Sequence, residues 1–337
     1  MNIKSLLLGS AAALVAVSGA RAADAVVVAE PEPMEYVRVC DVYGAGFYYI
    51  PGTETCLKVG GLVRYEISGE TGDDGWNKET AARLKFDARS ETEYGTFKRF
   101  IEVEFANSGI DPVSGKDETG IELRHAYFEL GGLLVGRTDT LFDGDIDGEF
   151  ELAGGDRVNQ VRYTFDAGNG IALSAGLEVA ENNDSYVPNI TGKASVAQGW
   201  GGVDLYAAYD SVVEEYALKG IARFKATDTV TLQALASYDS GESFYGIGYE
   251  WSLGGNVVFQ ATEKLALTVG GQYLGDAYNT TLAPAVAGNN DWVVGAVVDY
   301  NIVQNLDAKL AVNYTDGDSY KATDGSFGGF LRLDASF

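Results

Sequence analysis

The residues best suited to chemistry lie in one acidic stretch between two regular segments of the chain. Residues 137–157 show almost no strand pattern, and their predicted functional carboxylates are Asp139, Asp143, Asp145, Asp147, Glu149 and Glu151. Such carboxylates could bind Ca²⁺ or act as a general acid and base. A calcium loop starting at Asp143 would need glutamate at its twelfth position, where Gly154 stands. Because the spacing assigns no acid–base pair either, we predict no metal site.

A hydrolase of the serine type would need a histidine as its base, and His125 is the single histidine of the chain. Alternation along this part of the chain places His125 on an apolar strand face, together with Ile121, Leu123 and Tyr127. We therefore expect a packed or interfacial histidine, no catalytic residue, no cofactor and no enzyme activity.

A second set of charged residues is basic. These residues lie near the middle of predicted strands, at the alternate positions whose side chains would face the acids. The set consists of Arg64, Arg83, Lys85, Arg124 and Arg162. We hypothesise that this basic wall lies opposite the acidic stretch across a water-filled interior. Two opposed rows of charge would create a transverse field that orders water and orients dipolar solutes. A plainer alternative is that these charges only solvate the interior.

The elements that would position these residues are amphipathic strands. From Leu57 onward apolar and charged side chains alternate with a period of two, and the pattern predicts sixteen strands joined by alternating short and long connections. Alternation alone fits a soluble β-sandwich as well as a membrane barrel. Aromatic residues at strand ends, a strand length of about ten residues and a final strand ending at Phe337 favour the barrel. The predicted fold is all-β, a sixteen-stranded antiparallel transmembrane β-barrel.

The start of the chain predicts export. Lys4, the apolar run 6–17 and the small residues around Ala22 match a cleaved signal peptide at 1–22. A periplasmic segment at 23–56 and the barrel at 57–337 would follow. The formal net charge of −25, with 24 Lys and Arg against 49 Asp and Glu, excludes nucleic acid as a partner. It also suggests a modest preference for cations.

Cys40 and Cys56 are the two cysteines of the chain. Because an exported chain leaves the reducing cytosol, we expect them to form a disulfide. A zinc site would need more ligands, and a catalytic cysteine would need a nearby base.

Three segments and the last residue carry a family resemblance. They are EYVRVCDVYGAGFYYIPGTETCLKVGG at 35–61, SETEYGT at 90–96, YDSVVEEYA at 209–217, and Phe337. In these the chain resembles the alphaproteobacterial branch of the general porins. The resemblance implies a homotrimeric porin of the outer membrane whose third loop, at about 137–157, folds inward and constricts the channel.

The resemblance also implies what the protein handles and contacts. Small hydrophilic solutes and ions would pass by passive diffusion, and the barrel would contact outer-membrane lipids and lipopolysaccharide. Phe337 would be the signal that the barrel-assembly machinery reads. Specific sugar uptake and an adhesive or structural role stay open as alternatives.

Overall fold

Long antiparallel strands close on themselves in the computed structural model of this chain. The structure describes residues 38–110, 117–180, 186–278, 288–320 and 324–337, so the predicted signal peptide and the predicted segment up to residue 37 lie outside the described residues. The strands are β1 Tyr48–Tyr49, β2 Cys56–Glu70, β3 Asn77–Thr92, β4 Gly95–Ile110, β5 Asp117–Leu130, β6 Leu133–Asp139, β7 Arg157–Asp166, β8 Ile171–Val179, β9 Asn189–Gln198, β10 Gly201–Asp210, β11 Glu215–Lys225, β12 Val230–Asp239, β13 Tyr249–Thr262, β14 Leu265–Ala277, β15 Asp291–Val303, β16 Leu306–Gly317 and β17 Ser326–Ser336. Short 3₁₀ helices cover Asp41–Tyr43 and Asp318–Tyr320.

The barrel consists of the sixteen strands β2 to β17, and β17 closes it by pairing with β2. Leu331 of β17 lies opposite Ile67 of β2 in this seam. Connections at one rim are two to four residues long, whereas those at the other rim reach seventeen residues at 140–156. The predicted fold class and strand number are confirmed.

The strands carry apolar side chains outward and polar side chains inward. Leu253 and Val269 are 60% exposed, whereas Gln233 and Gln272 are 6% and 3% exposed. This distribution is the inverse of a soluble sandwich and matches a barrel whose outer face meets lipid. Among the described residues, no helix has the length and apolar character to cross a membrane.

Aromatic side chains form a band on the outer face of the rim with the long connections. Cross-strand pairs place Tyr209 beside Tyr216, Tyr238 beside Trp251 and Tyr273 beside Trp292. The Trp251 and Tyr273 rings stack with their centroids 5.3 Å apart. Such rings are typical of the interface between hydrocarbon and water.

A β-bulge in β5 corrects one prediction from the alternation. Glu102 pairs with His125 and Val103 pairs with Leu123, so Arg124 is an extra residue in the ladder. The bulge shifts the parity, and His125 and Tyr127 lie on the polar side instead of the apolar face. His125 Nδ1 lies 2.9 Å from Thr138 Oγ1, and Lys98 Nζ donates to the Tyr127 hydroxyl. The prediction that both share a face with Leu123 was wrong.

The predicted disulfide between Cys40 and Cys56 is present, with the two Cα atoms 6.0 Å apart. Both cysteines are buried beside Phe47, and the Arg89 guanidinium lies 5.0 Å from the centre of the Phe47 ring. The Tyr43 hydroxyl donates a 2.7 Å hydrogen bond to Glu91 at the end of β3. The disulfide therefore holds a small folded segment against the rim with the short connections.

Reducing this disulfide should lower the free energy of unfolding by about 3 kcal/mol, because the unfolded chain regains the freedom of a loop of this length. The measurement is a urea titration of the refolded barrel in detergent, followed by tryptophan fluorescence, with and without reductant. The Cys40→Ser/Cys56→Ser variant should match the reduced wild type and be insensitive to reductant. Identical midpoints for oxidised and reduced wild type would contradict the prediction.

Candidate functional site

The candidate site is built around residues 140–156, which connect β6 to β7 and are called the acidic segment below. The Thr140 amide donates to the Asp156 carbonyl at 3.0 Å, so the two ends of the segment lie side by side. The strands reach further than the sequence predicted: Arg137 and Asp139 belong to β6, and Arg157 begins β7.

A single buried carboxylate, that of Glu178 on β8, holds the start of the acidic segment. It is 0% exposed. It accepts hydrogen bonds from the Thr140 hydroxyl at 2.5 Å, the Leu141 amide at 2.8 Å, the Thr191 hydroxyl at 2.9 Å and the Tyr245 hydroxyl at 2.9 Å. These donors use the acceptor sites of the carboxylate, which a buried charge requires. Glu178 thereby joins the acidic segment to β9 and to the connection 240–248.

The acidic segment has an apolar side that packs on the barrel wall. Phe142, Ile146 and Phe150 recur at every fourth position, and all three are buried. The Phe142 ring lies 5.6 Å from the Tyr245 ring. Phe150 lies against Gly270 and Gly295, where an added Cβ would come within 2.6 and 2.8 Å of its ring. The two glycines therefore leave the space that this ring fills.

The backbone of the acidic segment is hydrogen-bonded by amide side chains from successive strands. Gln233 on β12 accepts from the Asp147 amide at 2.6 Å, and Asn256 on β13 donates to the Asp147 carbonyl. Gln272 on β14 accepts from the Leu152 amide at 2.6 Å and donates to the Leu152 carbonyl at 2.9 Å. These side chains share the polar face of the wall, so the segment is bound to that face.

Lysine, arginine and asparagine side chains add further contacts, and among them the Arg223 guanidinium on β11 donates to the Asp145 carbonyl. Lys219 on β11 donates to the Ala153 carbonyl at 2.6 Å. Lys309 on β16 forms a 2.7 Å ion pair with Glu149, and Arg332 on β17 lies 3.8 Å from the same carboxylate. Asn313 on β16 donates to the Glu149 carbonyl. Together with Glu178 on β8, the partners of the acidic segment thus extend from β8 to β17.

The predicted acids differ in their surroundings. Asp143, Asp145 and Asp147 are exposed, and Glu149 and Glu151 are half-buried. Burial, reinforced by the charges of Asp145 and Glu149, raises the pKa of the Glu151 carboxyl to about 7. Desolvation and the charge of Asp139 also raise the pKa of Asp143.

Four of the five predicted basic residues lie together on neighbouring strands, each paired with carboxylates. Arg64 forms two 2.7 Å hydrogen bonds with Asp334, and Arg83 pairs with Glu104. The other two share a carboxylate: Lys85 and Arg124 both lie 3.5 Å from Glu102. The predicted wall is therefore a network of alternating charges.

The fifth basic residue, Arg162 on β7, lies apart from this network and lines a separate cavity beside the acidic segment.

Sequence reasoning missed the residues that hold the acidic segment in place. These are Glu178, Lys219, Arg223, Gln233, Tyr245, Asn256, Gln272, Lys309, Asn313 and Arg332. The sequence did contain a signal for the other side of this contact, the four-residue spacing of Phe142, Ile146 and Phe150. A second signal was that the sequence has the uncharged amides Gln233, Asn256 and Gln272 in the middle of strands whose apolar and polar residues alternate.

Comparison with known proteins gives consistent matches. The family model described as Porin subfamily matches residues 24–330. The chain is 40% identical to Porin Omp2b of Brucella canis over 378 aligned residues, which cover 100% of both chains. It is similar in structure to the outer membrane channel DcaP of Acinetobacter baumannii, with a TM-score of 0.68 at 17% identity, covering 86% of this chain and 99% of that one. For the trimer form of OmpT of Vibrio cholerae the TM-score is 0.59 at 12% identity, covering 85% and 100%.

Glu178→Ala should loosen the start of the acidic segment, because it leaves the Leu141 amide and the buried hydroxyls without their acceptor. Each unpaired buried donor costs about 1–3 kcal/mol, which corresponds to at least a fivefold to tenfold gain in local opening. Hydrogen–deuterium exchange of a peptide covering Leu141 and Phe142 measures the effect. The exposed Glu54→Ala is the matched control. Equal exchange in both variants would show that Glu178 does not hold the segment.

Proposed function

The chain belongs to the porin subfamily, and on that premise we propose how its outer-membrane channel selects what passes. We propose that small hydrophilic solutes and ions cross by passive diffusion and that the acidic segment narrows the channel and selects them by size and charge. The observation that carries this proposal is the row of hydrogen bonds from Gln233, Asn256 and Gln272 to the backbone of the segment. Side chains on the polar face of a membrane barrel point into its lumen, so a segment bound to them occupies lumen space.

The charges around this segment support selection by an electric field. Asp143, Asp145 and Asp147 are exposed on the acidic segment, whose anchors lie on β8 and on β11 to β17. The network around Arg83 and Arg124 occupies β3 to β5, on strands that do not anchor the segment. The open passage would then have acids on one side and the arginine network on the other. Such a field favours small dipolar solutes and penalises large apolar ones.

The network of Arg64, Arg83, Lys85 and Arg124 with their carboxylates, called the arginine network here, is not a purely basic wall. Glu102 and Glu104 neutralise part of its charge. The exposed acids of the segment are less compensated than the arginines. We therefore propose a modest cation preference, in the direction of the net charge of −25. Screening at physiological salt limits this effect to groups within about 8 Å of the ion path.

Assembly partners belong to the same proposal. We propose a homotrimer in contact with outer-membrane lipids and lipopolysaccharide; the trimer form of OmpT, which has a similar fold, supports the trimer. We propose further that Phe337 is read by the barrel-assembly machinery. This residue is 64% exposed, and its backbone pairs with Gly61 at the seam between β17 and β2.

Planar-bilayer recording of the purified protein tests the function. Large, ohmic currents that appear in steps of three are expected from a trimeric porin. A folded sample, recognised by the anomalous gel mobility of an unboiled barrel, that gives no current would reject the channel.

Deleting Asp143–Glu151 should raise the single-channel conductance and admit larger solutes, because it removes most of the segment from the lumen. The measurements are conductance in planar bilayers and liposome swelling with sugars of increasing size. Gel mobility of the unboiled variant controls for folding. A folded variant with unchanged conductance and exclusion limit would place the acidic segment outside the ion path.

The cation preference should increase as the pH rises from about 6 to about 8, because the Glu151 carboxyl, with its pKa raised to about 7, loses its proton over this interval. The raised pKa also means that the folded form binds this proton more tightly than the unfolded chain. Its contribution to stability is therefore present below the usual pKa of 4.5 and is lost as the pH rises through 7.

Reversal potentials in a KCl gradient measure the preference, and Glu151→Gln should remove this part of its pH dependence. The same pH dependence in wild type and Glu151→Gln would assign the effect to another group.

A further inference from the structure

A polar cavity of about 390 Å³ lies between the start of the acidic segment and the inner wall. Its volume falls within the range of pockets that bind small molecules. Its charged lining residues are Asp139 at the end of β6, Asp143 in the acidic segment, Arg162 on β7 and Lys193 on β9. The hydroxyl groups of Thr138, Thr140, Thr164, Ser174 and Ser195 complete its polar lining.

The charges in this cavity are compensated far less than those of the arginine network. Within the described part of the chain, the Arg162 guanidinium has no ion pair, and neither has the carboxylate of Asp139 or Asp143. By contrast, Arg64 donates two 2.7 Å hydrogen bonds to Asp334. Lys193 lies 3.6 Å from Asp204, at the edge of ion-pair distance. The cavity therefore presents acidic and basic groups that still have capacity to bind a ligand.

The hydroxyl groups of the cavity are already oriented by the barrel. Thr138 contacts His125 at 2.9 Å, and the Thr164 and Ser174 hydroxyls lie 2.8 Å apart. Thr140 donates to Glu178 at 2.5 Å. Side chains fixed in this way lose little conformational freedom when a ligand binds.

We propose that this cavity is a binding site for small zwitterions of the α-amino acid class. The ligand carboxylate would bind Arg162, with Lys193 nearby, and the ligand ammonium would bind Asp139 and Asp143. The planar guanidinium presents paired donors that match a carboxylate. A solute with a single charge can pair only with the basic residues or only with the acidic residues of the cavity. The residues of the other sign are then left without a partner. The proposal rests on the proposed channel function, because the ligand reaches the cavity from the lumen.

The test is the block of ion current by L-alanine in planar bilayers of the full-length folded protein. A solute that binds in the lumen reduces the current with a half-saturating concentration. Propionate, ethylammonium and propionamide serve as probes that carry only the negative charge, only the positive charge or neither. The half-saturating concentration of L-alanine should be about tenfold lower than that of each of the other three solutes, as expected for one additional charged hydrogen bond.

Arg162→Gln and Asp139→Asn should each raise the half-saturating concentration of L-alanine about tenfold. Arg64→Gln removes the same charge from the wall outside the cavity and should change it far less. The proposal is overturned if L-alanine blocks no better than propionamide, or if Arg64→Gln and Arg162→Gln have equal effects. Normal conductance without a saturable block would reject the binding site alone, whereas absence of conductance would reject the channel itself.

Discussion

The structure depends on one constraint, that every backbone N–H and C=O group in the hydrocarbon of a membrane needs a partner within the protein. Pairing of β17 with β2 meets this constraint by removing both sheet edges. Closure then divides the side chains into two populations. Apolar residues such as Leu253 lie outside, and amides such as Gln233 and Gln272 lie inside. Because the interior is polar, it can hold a second element by hydrogen bonds.

The acidic segment binds to the polar face of the barrel wall, and it has two chemically different sides. Its aromatic and aliphatic residues, such as Phe142 and Ile146, fill apolar spaces between the segment and the wall. Its backbone binds the amides of β12 to β14, and the buried Glu178 carboxylate holds its start. Asp143, Asp145 and Asp147, between these anchors, are left exposed. In the proposed channel, Phe142 and Ile146 fix the segment and Asp143 and Asp145 act on solutes. Asp147 does both, since its amide and its carboxylate bind Gln233.

Local patterns in the sequence predicted most of the fold. A period of two is a property of each strand by itself, so the strand number and the inner and outer faces could be read without knowing which strands are neighbours. The β5 bulge at Arg124 broke that period and reversed the faces of His125 and Tyr127. The partners of the acidic segment could not be predicted in the same way. The contact between Asp147 and Gln233 joins residues 86 positions apart and depends on the path of the segment across the barrel.

The central claim, that the acidic segment borders the ion path, is tested most directly by attaching a charge to it in an open channel. Asp145→Cys introduces a free thiol, since Cys40 and Cys56 are bonded to each other. A positively charged methanethiosulfonate reagent should lower both the conductance and the cation preference of this variant. The same reagent on Asp73→Cys, in the connection 71–76, should leave both unchanged. Complete modification at Asp145→Cys with no change in current would contradict the claim.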